Sequence, residues 1–274
     1  MAIYYLNGEF IEASQARIPA DDLAVLRGYG VFDFLRTYNG VPFRLVEHLQ
    51  RLQRSAELIE LACPWELEEL ADIAEQTLRR NNFSESGIRL VITGGGSPSG
   101  FLPTGESRLL VMVSRLQSLP GEVYRRGAAV VTVEQTRHLP EAKTINYIPS
   151  ITAQLQARRA NPQAIDAIYT EAGKVIEGTR SNTFIYRDGR WSSPASDVLL
   201  GITRAEVIKL LGEDHVELRD ITLDEYRAAD EIILTSSTKE ILPIVRVDDC
   251  VIGDGAPGEH TVALMRKWRE LTVG

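Results

Sequence analysis

A chain of 274 residues, 44% hydrophobic and 25% charged, is long enough for one large domain or two modest ones and is ordinary in composition for a globular protein. Its formal net charge of −8 argues against broad binding to nucleic acid or anionic membranes, which attract basic surfaces. No apolar run is long enough to span a bilayer, and the opening Met1-Ala2-Ile3-Tyr4-Tyr5-Leu6 has no basic leader, so neither a membrane span nor a signal peptide is expected. Cys63 and Cys250 make no disulfide framework, which suits a cytoplasmic setting.

The predicted elements begin with a hairpin. Ile3 to Leu6 and Phe10 to Glu12 flank the turn pair Asn7-Gly8, and Val31 to Tyr38 and Val41 to Arg44 flank a second such pair, Asn39-Gly40. Leu45, Leu49, Leu52, Ala56 and Leu61 then fall near one helical face, and a second helix is expected over Leu67 to Arg80. Strands follow at Gly87–Thr93 and Ser107–Ser114, around the loop Gly94-Gly95-Gly96-Ser97-Pro98. Residues 116–121 read as a linker. Beyond it come a strand at Ala128–Val133, a helix over Ser150–Arg159, and strands at Ala164–Thr170, Val175–Glu177 and Thr183–Tyr186, the last closed by Asp188-Gly189. A helix at Thr203–Leu211, capped by Thr203 or a neighbour, strands at Val216–Leu218 and Glu231–Thr235, and a helix at Thr261–Leu271 complete the pattern. Strands and helices mix without regular alternation, which predicts an α+β fold of two domains. Residues 1–115 form the smaller one, and residues 122–274 form the larger one, which is expected to carry Lys143.

Few lysines are present, and none precedes Lys143. A lysine amine can form a Schiff base with an aldehyde, and the neighbouring Ile145 and Tyr147 could wall it off from water. Glu177 ends a short apolar strand before Gly178, where a carboxylate can approach a flat ring and pair with its nitrogen; Arg180 and Asn182 could orient that acid or merely stabilise the turn. Gly201-Ile202-Thr203 at a helix start, and Ser236-Ser237-Thr238 after a strand, offer N–H groups and hydroxyls to a phosphate, and Arg51 could reach one too. Amine, acid and phosphate cradle together are the parts that hold pyridoxal 5′-phosphate. Each alone is more often a surface lysine, a turn acid or a helix cap; their combination carries the reading. His48, His138, His215 and His260 are scattered and there is no Cys-x-x-Cys, so no metal site is expected, and no Gly-x-Ser-x-Gly elbow suggests a serine hydrolase.

With these segments in order, the chain resembles the class IV, fold type IV, pyridoxal-phosphate aminotransferases, a family that includes branched-chain aminotransferases, D-amino-acid transaminases and aminodeoxychorismate lyase. The resemblance rests on Gly30-Val31-Phe32-Asp33, His48 to Leu52, Lys143 to Tyr147, Glu177 to Phe184, Leu200 to Arg204 and Thr235 to Ile241. It implies that Lys143 is the Schiff-base lysine and Glu177 the pyridine-nitrogen acid, with phosphate contacts at Arg51, Ile202, Thr203 and Thr238, and Ser237 adjoining. It also implies a homodimer, with cofactor sites between the domains and each completed by a loop of the other subunit. Substrates are then amino acids and 2-oxo acids. For the substrate carboxylate the candidates are Arg27, Arg36 and Arg89, with Phe32 and Tyr147 nearby. Arg27 with Arg89 is similar to the clamp of atypical D-amino-acid transaminases, which is the expectation favoured here. Phe32 and Arg36 match the branched-chain subgroup, the first alternative; elimination of pyruvate from aminodeoxychorismate is the further one.

Overall fold

The computed structural model describes residues 2–273; Met1 and Gly274, the outer limits of the two expected domains, lie outside the described residues. Two compact units emerge. One runs to Gln117 and takes in Ala142–Asn146, and the other comprises Ser118–Glu141 and the chain from Tyr147 onward.

The first unit contains β1 (Ile3–Leu6), β2 (Glu9–Glu12), α1 (Leu23–Arg27), β3 (Gly30–Tyr38), β4 (Val41–Pro42), α2 (Leu45–Leu58), α3 (Leu67–Arg79), β5 (Ser86–Thr93) and β6 (Arg108–Arg115). Its strands form an antiparallel sheet in the order β2-β1-β6-β5-β3-β4. Asn7 and Asn39 take φ of 48° and 51°, each followed by a positive-φ glycine, as tight hairpin turns between right-twisted strands require. Leu49, Leu52 and Ala56 of α2 and Leu70, Ile73 and Ala74 of α3 pack into one core with Val31, Leu35, Ile88 and Val111 of the sheet. The α2 periodicity suggests a helix reaching Leu61. The helix instead stops at Leu58: Glu60 adopts φ 55° and the Leu61 N–H returns to the Ala56 carbonyl at 2.9 Å, a left-handed termination that still delivers Leu61 to the core.

The second unit contains α4 (Gly121–Arg126), β7 (Ala128–Glu134), α5 (Ile148–Ala160), β8 (Ala164–Glu171), β9 (Lys174–Gly178), β10 (Asn182–Arg187), β11 (Arg190–Ser193), α6 (Ile202–Leu211), β12 (Val216–Leu218), β13 (Ile221–Thr222), α7 (Leu223–Arg227), β14 (Glu231–Ser236), β15 (Glu240–Val247), β16 (Cys250–Val251) and α8 (Glu259–Val273). Its sheet has the order β12-β11-β10-β14-β15-β7-β8-β9-β13, with β16 paired to β15. β7 runs parallel to both β8 and β15, and β11 parallel to β12; the other pairs are antiparallel. β15 has no counterpart among the strands expected from sequence, because Pro243 interrupts its apolar run. Proline is tolerated there because pairing with β7 begins only at Ile244.

Two further expectations are corrected. Lys143 does not group with the larger unit. Thr144 bridges Val31, the Phe32 N–H donates to the Lys143 carbonyl at 2.9 Å, and the Ile145 N–H donates to Gly30 at 3.0 Å, so Ala142–Asn146 adds a strand-like edge to β3. A Cβ at Gly30 would lie 2.7 Å from the Ile92 carbonyl oxygen and 3.0 Å from Ile145, so this close approach needs glycine. Second, α6 is not capped by Thr203 or a neighbour: its N-cap is Gly201, and among the described residues there is no side-chain cap hydrogen bond.

Candidate active site

In the first unit, polar residues gather around β3 and α2. Alternation along β3 sends Val31, Asp33 and Leu35 to the helix side and Phe32, Phe34 and Arg36 to the other face. Asp33, fully buried, accepts from Arg51 Nε and Nη2, both at 2.8 Å, and from His48 Nδ1 at 2.7 Å. Burial would raise its carboxyl pKa, but the Arg51 and His48 contacts outweigh that and hold it far below the usual carboxylate range. His48 is pushed down by burial against the pull of Asp33, and the charges of Arg51 and Lys143 add to the push. A carboxylate only accepts, so the His48 proton sits on Nδ1.

One turn after Arg51, the Ser55 hydroxyl donates to the Arg51 carbonyl at 2.7 Å and accepts from the Lys143 N–H at 3.1 Å. The Lys143 backbone is therefore tied to β3 on one side and to α2 on the other. Its Nζ lies 4.7 Å from the centre of the Phe32 ring, a cation–π distance. The apolar surface beside the amine is thus Phe32, whereas Ile145, expected for that role, packs at Gly30. Arg89, opposite Phe34 on β5, stacks on Phe32 at 4.9 Å and Phe34 at 5.3 Å. The Arg89 guanidinium and the Lys143 amine accordingly share one aromatic ring. Arg36 is buried, stacked on Tyr38 at 4.2 Å. Arg27 is exposed and turns back to the Leu26 carbonyl at 2.8 Å, rather than being drawn towards the Phe32 ring that Arg89 stacks on.

In the second unit, Glu177 ends β9 almost fully buried. Its Oε2 accepts from the Leu199 N–H at 3.0 Å and from Asn182 Nδ2 at 3.3 Å, and Arg137 Nε lies 3.2 Å from Oε1, close enough for an ion pair though not aligned for a hydrogen bond. Asn182 therefore orients the acid, while Arg180 is exposed. Asn182 also donates to the Leu199 carbonyl at 2.8 Å, and its Oδ1 would stand 2.0 Å from any Cβ at Gly201. The glycine N-cap thus brings the start of α6 against the residue that holds Glu177. With no side-chain cap, the first N–H groups of α6, those of Ile202 and Thr203 among them, are left for an outside acceptor, and Arg204 fastens the same turn to Ser193 and Pro194. Thr235, directly across from Asn182 on β14, buries a hydroxyl that finds no partner among the described residues. Ser237 and Thr238 form the tip between β14 and β15, half-buried. Tyr147 precedes α5, half-buried. An uncapped helix start, an orphaned hydroxyl and a buried, oriented carboxylate are a donor and acceptor set that fits a phosphate and a ring nitrogen.

Comparison with known proteins decides the family. The model for amino-transferase class IV matches residues 30–247. The chain belongs to the class IV aminotransferases. It is a pyridoxal-phosphate-dependent transaminase. A putative branched-chain-amino-acid aminotransferase of Methanocaldococcus jannaschii is 35% identical over 97% of this chain and 95% of its own length. A D-alanine aminotransferase of Staphylococcus haemolyticus is 32% identical over 95% and 94%. Among solved structures, a branched-chain amino acid aminotransferase with pyridoxamine 5′-phosphate, its source abbreviated T.th., superposes with a TM-score of 0.93 at 29% identity, covering 100% of this chain and 94% of that one. The Thermoproteus uzoniensis branched-chain enzyme with norvaline gives 0.89 at 29% identity, covering 99% and 94%. The aminotransferase has no helix, among the described residues, long and apolar enough to cross a membrane, and no group of three or more His, Cys, Asp or Glu side chains placed to hold a metal.

The site residues that sequence reasoning did not name are those that hold the named ones in place. Asp33 and His48 lie inside segments that carry the family resemblance; a lone acid within the apolar run of β3 was the available signal for the first. Ser55 and Arg137 gave none, since nothing in the sequence distinguishes them from other exposed-looking polar residues.

Proposed function

We propose that this aminotransferase is a D-amino-acid transaminase of the atypical, arginine-clamp type, with Lys143 as the residue that carries the cofactor aldehyde. The observation that carries the substrate reading is the shared ring of Phe32: the Arg89 guanidinium lies 4.9 Å and the Lys143 amine 4.7 Å from its centre. A substrate carboxylate bound to Arg89 by charge-assisted hydrogen bonds would present its Cα to that amine. Arg27 is the second cation of the clamp, which requires its side chain to leave the Leu26 carbonyl. The D-alanine aminotransferase relative supports the same substrate class.

Pyridoxal phosphate, when bound, supplies an electron-accepting ring that makes the substrate Cα–H bond acidic. Glu177, oriented by the Leu199 N–H and Asn182 and paired with Arg137, would hold a proton on the ring nitrogen. Ile202, Thr203, Ser237, Thr238 and Arg51 take the phosphate. Freed when the substrate amine takes its place, Lys143 Nζ would remove the proton at Cα as base and give it back as acid. Phe32, Arg36 and Tyr147 shape the substrate side of the pocket. Cytoplasmic placement fits the two unpaired cysteines. A homodimer fits α5, whose Ile148, Ile151 and Leu155 are 70%, 57% and 50% exposed along one helical stripe.

A second reading, transamination of branched-chain L-amino acids, is favoured by the superposed branched-chain enzymes and by the apolar Phe32 and Phe34 face. A half-reaction screen separates the two. Bleaching of the cofactor's visible band by D-alanine or D-glutamate, and not by L-leucine or L-valine, supports the first; the reverse pattern replaces it with the second. Pyruvate released from aminodeoxychorismate without a 2-oxo-acid acceptor would displace both.

A further inference from the structure

Lys239 is a lysine that none of the roles above uses, and it is only 4% exposed. It follows Thr238 directly. Its Nζ lies 2.8 Å from Oδ2 of Asp166, a fully buried carboxylate on β8. The same carboxylate takes the Ser181 hydroxyl on Oδ2 at 2.8 Å, and on Oδ1 the Thr179 hydroxyl and the Ala167 N–H. Thr179 and Ser181 belong to the turn that carries Glu177 into β10, and the Gly178 N–H closes that turn on the Ser181 carbonyl at 2.7 Å. Lys239 is also fixed through its backbone: its N–H donates to Ser236 Oγ at 3.1 Å, and its carbonyl accepts from the Tyr124 hydroxyl at 3.1 Å.

For stability alone, a well-packed apolar pair at positions 166 and 239 would serve as well as a buried ion pair or better. What the ion pair adds is a directed link beyond the end of the β10–β14 ladder, which joins the two turns only at Asn182 and Thr235. We infer that Lys239 is a positioning residue: through Asp166 its ammonium locks the Ser237-Thr238 tip to the Glu177–Asn182 turn, setting the distance between the phosphate contacts and the ring-nitrogen acid. This rests on the roles proposed for Glu177, Ser237 and Thr238. A ligand that grips both turns gains affinity from their fixed spacing, because the second contact becomes intramolecular once the first is made. Fragments that touch one turn gain nothing from it.

The test uses the whole chain depleted of cofactor. Pyridoxal 5′-phosphate, pyridoxal and inorganic phosphate are titrated separately into the parent and into Lys239→Met, Lys239→Met with Asp166→Asn, and Lys239→Arg. The double variant removes the stranded carboxylate charge, so a folded protein remains available if Lys239→Met alone is too unstable, and melting curves establish which variants are folded. Pyridoxal phosphate affinity is expected to fall by about tenfold or more in both methionine variants, with pyridoxal and phosphate affinities unchanged and Lys239→Arg restoring the parent value. Unchanged pyridoxal phosphate affinity in a folded variant overturns the inference, as does an equal loss for all three ligands. Thr238→Ala is the control on the site itself. If it weakens pyridoxal phosphate and leaves pyridoxal alone, a negative result at Lys239 counts against the link only. If it changes nothing, the phosphate assignment has failed and the link falls with it.

Discussion

Replacing Asp33 by asparagine removes a buried negative charge that both Arg51 and His48 contact. Both hydrogen bonds from Arg51 converge on Asp33 at 2.8 Å, the arginine side chain is 11% exposed, and the acid is fully buried. Breaking a buried pair by removing one partner strands the other charge, at about 3–5 kcal/mol. For a chain of this size that is a fall in melting temperature of roughly 10 °C. Thermal unfolding of the cofactor-free chain by circular dichroism at pH 7 reads it directly. Adding Arg51→Met to Asp33→Asn removes the stranded cation and is expected to recover part of the loss. The pH dependence follows from the same cluster. The Asp33 pKa is depressed on folding, so its stabilisation is complete above the unfolded value of about 4 and is lost as pH falls through the folded value. The His48 pKa is depressed too, so the unfolded chain binds the extra proton and stability declines as pH drops below about 6.5. The parent should therefore lose stability on acidification in two stages, His48 first. A melting temperature for Asp33→Asn within about 2 °C of the parent, or a double variant that melts below the single one, would refute the stranded-charge argument.

Lys143→Ala should abolish the borohydride-reducible attachment of cofactor, checked by intact mass; a lysyl adduct surviving at another position refutes the assignment. Arg89→Ala should raise KM for the amino acid by roughly ten- to a hundredfold, the equivalent of one lost charge-assisted bond of about 1.5–3 kcal/mol, in steady-state kinetics. Arg27→Ala should act in the same direction, and an unchanged KM in both variants removes the clamp. Ile151→Asp with Leu155→Asp should convert a dimer to a monomer in light scattering; an unaltered mass excludes this face of α5 as the dimer contact.

Much of the fold was legible because its signals are local. Asn7-Gly8 and Asn39-Gly40 specify hairpins through backbone conformations few other residues adopt, and the spacing of Leu45, Leu49, Leu52 and Ala56 matches one helical face. β15 lies outside the expected strands; Pro243 pairs with Ile233 of β14 while the β7 ladder starts at Ile244, which is where a proline can sit in a sheet. The length of α2 was misjudged for the converse reason: Leu61 keeps the apolar rhythm after the backbone has left the helix.

The groups proposed to react are named from their types and order alone: an amine at Lys143, an acid at Glu177, hydroxyls at Ser237 and Thr238. By itself the sequence determined which chemistry is available, because that depends on functional groups. Only the tertiary structure decided what holds those groups in place. It brought Ser55 to the Lys143 backbone across 88 positions, set Asp33 between Arg51 and His48, and joined Lys239 to Asp166 across 73. Hydrogen bonds and ion pairs act over a few ångströms of space whatever the separation along the chain, so partners of this kind leave no periodicity or spacing to be read.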